Sequence, residues 1–483
     1  MNRRILIGGL TLFFAISTFA QVQYTLDNIL DLAKMQSPQA KQAETRKENR
    51  YWQYRLFKSD YNPQLTLGGN LPGYSRQFLP VTQPDGTLEF RPVEQTSARL
   101  NLGLIQPIAT TGGTLSVNTN SSRFNNQLTD ITNYRSTVAD VTLIQPIFAF
   151  NSLRWDKRTE PLRYEESKRS YVEEMEFVSR TGVERFFDYL DAQVNFQIAQ
   201  FNLANNDTIY NIEKGRYNIG TTSEDKLLQV ELQLLRSQQD LASARLALQT
   251  SRLNMRTFIG LNESEDFDLV LPEQIPVFLV DEAVALQQAK SNRSSFIAFA
   301  RRKIEADRQV AQAKGQRFNM DLNASVGLNS AGSTLSESYM DPNSQQLVNI
   351  SLLIPIVNWG RNQARMQTAL ANKRLTDYTI AQEEQNFELE ILTLVRQLDM
   401  LRQQIEISQK SDQVAQKRYE VAQNRYLIGK IDITNLNIAL TEKDNARRSY
   451  INSLRSYWIA YYDLRRLTLY DFENNELLYT TED

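Results

Sequence analysis

Two kinds of hydrophobic pattern alternate along this chain. From Arg361 to Ile428 there is neither glycine nor proline, and from Leu162 to Lys214 only Gly182 interrupts. Gln, Leu, Ala, Arg and Glu dominate both stretches, which is the composition of long packed helices. At a rise of about 1.5 Å per residue the longer stretch reaches roughly 100 Å. That exceeds any ordinary globular helix, so the pattern predicts a coiled coil or a helical tube. Val395, Leu398, Leu401, Ile405 and Ile407 supply part of its apolar stripe, with Gln, Arg, Lys and Glu on the other faces. A leucine-rich returning helix follows each long one. Leu227, Leu228, Val230, Leu232, Leu234 and Leu235 mark the first, and Leu436, Ile438, Ala439 and Leu440 the second.

Between the helical stretches the period drops to two. Leu65, Leu67 and Leu71, then Leu100, Leu102 and Leu104, then Leu115 and Val117, then Val141 and Leu143 alternate with small or polar residues. The same holds for Leu322, Ala324, Val326 and Leu328, and for Val348, Ile350 and Leu352. One apolar and one polar face suit transmembrane β-strands with lipid outside and water inside. A strand of a soluble sandwich gives the same alternation. Residues 72–94, with Pro72, Pro80, Pro84, Asp85, Gly86 and Pro92, read as a long surface loop.

The patterns occur twice. Arg216-Tyr217-Asn218-Ile219-Gly220 recurs 209 positions later as Arg425-Tyr426-Leu427-Ile428-Gly429, and the same offset relates Leu143–Ile147 to Leu352–Ile356. Proline and glycine are therefore 74 residues apart in both copies, Pro146 to Gly220 and Pro355 to Gly429. Tyr61–Leu65 similarly resembles Phe318–Leu322, and Asp27 and Ser37 echo Asp281 and Ser291. The expected organisation is a first repeat over 21–265, an extended connector over 266–280, a second repeat over 281–470 and a tail over 471–483. Each repeat runs helix, strands, very long helix, tip turn, returning helix. Strands fall within 62–147 and 319–356, and tip turns at 216–223 and 425–432. The first strand region is longer by 48 positions. Leu104–Ile108 recurs there 39 residues later as Leu143–Ile147, which predicts an extra strand pair.

Composition narrows the functional classes. Arg3 and Arg4, the apolar run Ile5–Ser17 and Ala20 before Gln21 read as a signal peptide over residues 1–20. Without it the balance is 52 basic to 56 acidic residues, a net of −4, which gives a nucleic acid no basic face. There is no histidine and no cysteine. Imidazole and thiolate catalysis, most zinc sites, disulfides and a lipoprotein acylated on cysteine are excluded. No cofactor or metal is implied, and the chain is not read as an enzyme.

At the paired Arg-Tyr-x-x-Gly turns the chain resembles the TolC family of outer-membrane efflux proteins. The Gln145–Phe148 strand end, the 74-residue spacing and the Pro355-Ile-Val-Asn-Trp359-Gly360-Arg361 junction carry the same resemblance. It implies a mixed α and β membrane protein: a homotrimer whose protomers close one β-barrel in the outer membrane, continued by a periplasmic α-helical tube. It also implies a passive exit duct of a tripartite efflux or type I secretion system, opened by a periplasmic adaptor and an inner-membrane transporter. Arg216, Tyr217, Gly220, Ser223, Arg425, Tyr426 and Gly429 become the periplasmic tip and a place for an adaptor to dock. Gly220 and Gly429 suit positive φ, and Ser223 and Asp432 are placed to cap the returning helices. The family's acid pair near the entrance is replaced here by Asn435 and Ile438, so Tyr426 and Asp432, with Arg425, are the candidates for closing it. Pro146, Pro355, Trp359 and Gly360 mark the strand-to-helix junctions. The rival reading is an exported coiled-coil scaffold or adhesin without a pore, which leaves the duplicated strands unexplained.

Overall fold

The computed structural model describes residues 22–261 and 267–479; the signal-peptide segment lies outside them. In chain order the elements are β1 (Val22–Tyr24), α1 (Leu26–Gln36), α2 (Pro38–Ser59), β2 (Gln64–Thr82), β3 (Leu88–Ile108), β4 (Gly113–Asn126) and β5 (Ile131–Ile147). Then come α3 (Ser152–Asn218), α4 (Glu224–Ile259), β6 (Phe267–Leu269), α5 (Glu282–Asn292), α6 (Ser294–Gly315), β7 (Asn319–Gly332) and β8 (Asn343–Leu353). The chain ends with α7 (Arg361–Leu427), α8 (Ile433–Thr468), β9 (Tyr470–Asp471) and β10 (Glu476–Leu477). The contacts divide it into two compact units.

One unit, Glu44–Tyr171 with Leu286–Glu390, holds all six long strands in one antiparallel sheet, ordered β2-β3-β4-β5-β7-β8. Cross-strand partners share a face, so the register can be followed from strand to strand. Leu65, Leu104, Val117, Val141 and Val326 stand opposite one another in a row across five strands. The adjacent row, Thr66, Gly103, Asn118, Asp140, Gly327 and Gln345, is small or polar throughout and points to the opposite face. Every member of the apolar row is solvent-exposed. A sandwich strand would bury that face against a second sheet; here none covers it among the described residues.

Residues 72–94 are not a loop. They belong to β2 and β3, which pair down to Thr82 and Leu88 around a turn where Gly86 has φ 85° and Asp85 accepts from the Thr87 amide. Proline is tolerated because β3 pairs with β4 only from Gln95 onward, which leaves a two-stranded ribbon with free outer edges. Pro72 sits at a bulge between Asn70 and Gly73. Among the described residues the first half contributes four strands to this sheet and the second two.

The other unit, residues 22–43 with Val172–Ala285 and Ile391–Leu478, is helical. Its core is aromatic and aliphatic: Phe186, Phe187, Tyr189 and Leu190 of α3, Met255 and Ile259 of α4, and Leu454 and Tyr457 of α8 are buried. Gly182 is the break in the helical pattern, and a Cβ there would lie 2.6 Å from Leu30 of α1. The glycine thus lets α1 pack close, at some cost in helix propensity. Helix α3 starts ten residues earlier than its Gly- and Pro-poor stretch, running through Pro161. The parallel pair β1–β6 is tied to α3, where the Tyr189 hydroxyl donates to the Phe267 carbonyl and Gln193 bonds both the N–H and the C=O of Leu269. Val395, Leu398, Leu401 and Ile405 of α7 are buried as the stripe predicts, but Ile407 is exposed. No helix among the described residues is long and apolar enough to cross a membrane.

Candidate functional site

The two tip turns share one backbone. Gly220 and Gly429 have φ 75° and 74°. Each glycine N–H reaches the tyrosine carbonyl three residues back at 2.9 Å, and the following N–H reaches the arginine carbonyl, at 2.9 Å from Thr221 and 2.8 Å from Lys430. A Cβ at either glycine would meet nothing within 4 Å. The positive dihedral, not crowding, therefore selects glycine there.

The side chains part company. Tyr426 is 2 % exposed, whereas Tyr217 is 41 % exposed. Tyr426 lies in an apolar cluster with Ile209, Val230, Ile433, Leu436 and Leu440, and its hydroxyl donates to Glu213 Oε1 at 2.6 Å. Arg216 donates to the same oxygen at 2.7 Å and to the Leu427 carbonyl at 3.3 Å, with its guanidinium 5.4 Å from the Tyr426 ring centre. Arg425 is exposed. The structure thus brings together Arg216, Tyr426 and Glu213, and leaves Tyr217 and Arg425 outward. Burial pushes the Glu213 carboxyl up, but hydrogen bonds from Tyr426, Arg216 and Thr222 and the charge of Arg216 outweigh it and hold it below its ordinary value. Burial, reinforced by Glu213, raises the Tyr426 hydroxyl well above the usual phenol range, so it remains a donor.

The caps differ as well. Asp432 accepts from the Asn435 N–H at 2.9 Å and from the Asn435 side chain at 2.8 Å, closing the start of α8. Ser223 occupies the N-cap of α4 with extended backbone but makes no capping hydrogen bond through its side chain, contrary to the expectation for it. Asp432, Asn435 and Ile438 are all exposed. Between the turns a cavity of about 450 Å³ is lined by residues that include Thr222, Lys226, Tyr426 and Asp432.

The junction residues lie in the sheet unit. Pro146 is the penultimate residue of β5, and Pro355 follows β8 in irregular backbone. Trp359 has φ 52° and is 95 % exposed, and Gly360 has φ 79°. Arg361 N–H closes this turn onto the Asn358 carbonyl at 2.9 Å. Sequence reasoning missed Glu213. Its position three residues before Arg216 on one helix face was the available signal, and the matching position of the second copy is Ala422, which is buried.

The outer membrane efflux protein family matches residues 110–261 and 285–468, one segment for each helical hairpin. No curated protein sequence matches the chain. Among solved structures, the CmeC outer membrane channel of Campylobacter jejuni is similar at 16% identity and TM-score 0.63, covering 97% of this chain and 94% of that one. The outer membrane protein VceC of Vibrio cholerae is similar at 14% identity and TM-score 0.64, covering 92% and 95%. The open-state MtrE outer membrane channel of Neisseria gonorrhoeae matches at 16% identity and TM-score 0.63, covering 92% and 88%. At such identities the structures speak for the fold, and the family match over most of the chain speaks for descent: this chain belongs to the outer membrane efflux protein family.

Proposed function

We propose that three copies of this chain close one eighteen-stranded barrel in the outer membrane, with β8 of each protomer pairing with β2 of the next. The observation that carries this is the exposed apolar row across the sheet, backed by a polar row on the other face. That arrangement fits hydrocarbon outside and water inside, and it leaves the pore-free scaffold with an unexplained apolar surface. Among the described residues, strands β2 and β8 each pair on one side only, an edge that hydrocarbon does not tolerate. Residues 64–71 of β2 are free of proline, so they can accept a neighbouring strand. Barrels of 16–18 strands are wide enough for an aqueous channel. In this arrangement the β2–β3 ribbon projects beyond the wall.

The helices support association between protomers as well. Met400, Ile407, Val414, Val421 and Ile428 of α7 and the residue after it are exposed at a strict spacing of seven, and Leu228, Leu232, Leu235, Leu246 and Leu253 of α4 are exposed too. A seven-residue apolar stripe is one side of a coiled-coil seam, so neighbouring protomers complete the wall of a periplasmic tube. The domain reading of two tandem repeats follows from the same duplication. The protein is then a passive exit duct, without a catalytic step, joined at its tip by a periplasmic adaptor and supplied by an inner-membrane transporter. The exposed Arg425, Tyr217 and the cavity between the turns offer the adaptor its contact. Tyr426 and Asp432, with Asn435 and Ile438 on the first turns of α8, belong to the entrance.

Single-channel recording in planar bilayers, alongside membrane fractionation, tests the duct: stepwise conductance from an outer-membrane trimer is expected, and a non-conducting protein would reject it. Asp432→Asn keeps a capping side chain and removes the charge. If conductance and cation selectivity are unchanged in Asp432→Asn and in Asp432→Ala, Asp432 has no part in the entrance.

A further inference from the structure

Where β5 leaves the sheet for α3 and α6 delivers the chain to β7, four cations surround a cavity of about 570 Å³: Arg154, Arg158, Lys314 and Arg317. No acidic residue lines it, and none of the four forms an ion pair among the described residues. The contrast with their neighbours on the same helices is direct. Arg163 reaches Glu160 and Glu305 at 2.6 Å each, and Arg308 reaches Asp156 at 2.6 Å. Phe148, Phe150, Trp155 and Phe318 give the wall an aromatic side, beside Asn151 and small residues. Arg158 lies over the Trp155 ring at 4.8 Å, and Phe148 and Phe318 meet edge to face at 6.2 Å. A Cβ on Gly315 would come within 2.7 Å of the Phe150 amide nitrogen, so the end of α6 is held tightly against the segment entering α3.

The position of the cavity supplies the chemistry. It begins one residue after β5 ends and stops one residue before β7 starts. If the sheet spans the membrane, this is the level of the periplasmic headgroups, where aromatic and basic side chains collect. Phe318 stands in the same alternation as Met320, Leu322, Ala324 and Val326, so one wall continues the apolar face of the sheet.

We propose that this cavity holds the phosphodiester headgroup of an anionic phospholipid of the periplasmic leaflet. The guanidinium and ammonium groups neutralise and bond the phosphate, and the aromatic wall meets the glycerol and first acyl carbons. The inference rests on the reading of the sheet as membrane-spanning.

Native mass spectrometry of the full-length protein, released from bilayers of equal phosphatidylglycerol and phosphatidylethanolamine, tests it. Wild type is expected to retain phosphatidylglycerol at least tenfold over phosphatidylethanolamine. Arg158→Gln should weaken that retention about five-fold, the effect of one basic side chain near an anionic lipid. Replacing all four cations with glutamine should abolish the preference. Equal retention of both lipids by wild type overturns the proposal without recourse to any variant, as does a phosphatidylglycerol preference undiminished in Arg158→Gln and in the fourfold variant. Loss of the bound lipid to excess inorganic phosphate would overturn the lipid assignment in favour of a free-phosphate site. Conductance of the same preparations separates the two readings: a conducting trimer without lipid preference removes only the site, while a protein that neither conducts nor enters bilayers removes the membrane reading.

Discussion

The turns at 216–223 and 425–432 have the same backbone and different fates. In both, an arginine, a tyrosine and a left-handed glycine make the same hydrogen bonds. Yet only Tyr426 is buried, held by Glu213 and flanked by Arg216 of the other turn. The two turns share what the polypeptide needs to reverse direction, and differ in side-chain packing. One turn now locks the protomer's two hairpins together, while the other presents its tyrosine outward. A motif alone therefore says where a turn lies and not what it does.

Mutation should separate the turns most sharply at the tyrosines. Tyr426→Ala empties a buried site and is expected to cost about 3 kcal/mol, read as lost hydrogen-exchange protection in both tips. Tyr217→Ala should stay within about 0.5 kcal/mol. Equal effects would break the comparison. Next in size is Glu213→Ala, which strips the Tyr426 hydroxyl and Arg216 of their shared acceptor, at about 1–3 kcal/mol by the same readout. The caps come third: Asp432→Ala should cost about 1 kcal/mol, and Ser223→Ala next to nothing, because Ser223 makes no capping bond.

Acid sharpens the contrast further. The Glu213 carboxyl is held below its ordinary value of 4.5 in the folded protein. A depressed acid contributes stability that is present above that value and is lost as pH falls through the folded one. Protection of the tips should thus be flat with pH down to about 4.5 and then decline, with Glu213→Gln removing this part of the decline. A decline that begins near neutrality in wild type and persists in Glu213→Gln would assign the tip's acid response to another group.

Much of this was legible in the residues because the signals are long. A stretch of 67 residues without glycine or proline, such as α7, has few alternatives to helix. Alternation in Leu100, Leu102 and Leu104 gave the sheet its faces, and the shared 209-residue offset marked two turns of the same backbone. What misled was local. Pro72, Pro80 and Pro92 argue for a loop unless it is known that the strands carrying them lack a partner on one side, which is a property of the sheet and not of the segment. Pro161 likewise lies within a helix that its neighbours impose. Ile407 fits the apolar stripe by spacing, yet it belongs to a face left exposed among the described residues. Glu213 gained its role from a residue 213 positions away, a distance no sequence window reaches. The basic cavity at the ends of β5 and β7 was hidden for the same reason, since residues 148–158 at the entry to α3 and residues 311–318 at the exit of α6 line it together.

All six strands of each chain are expected to enter one wall shared by three protomers. A structure of the protein embedded in a lipid bilayer tests this most directly. Eighteen strands around one pore, β8 paired with the neighbouring β2, and Leu115 and Val117 facing lipid are expected. A twelve-stranded barrel with the extra pair folded outside the wall, or Leu115 and Val117 facing the lumen, would contradict it.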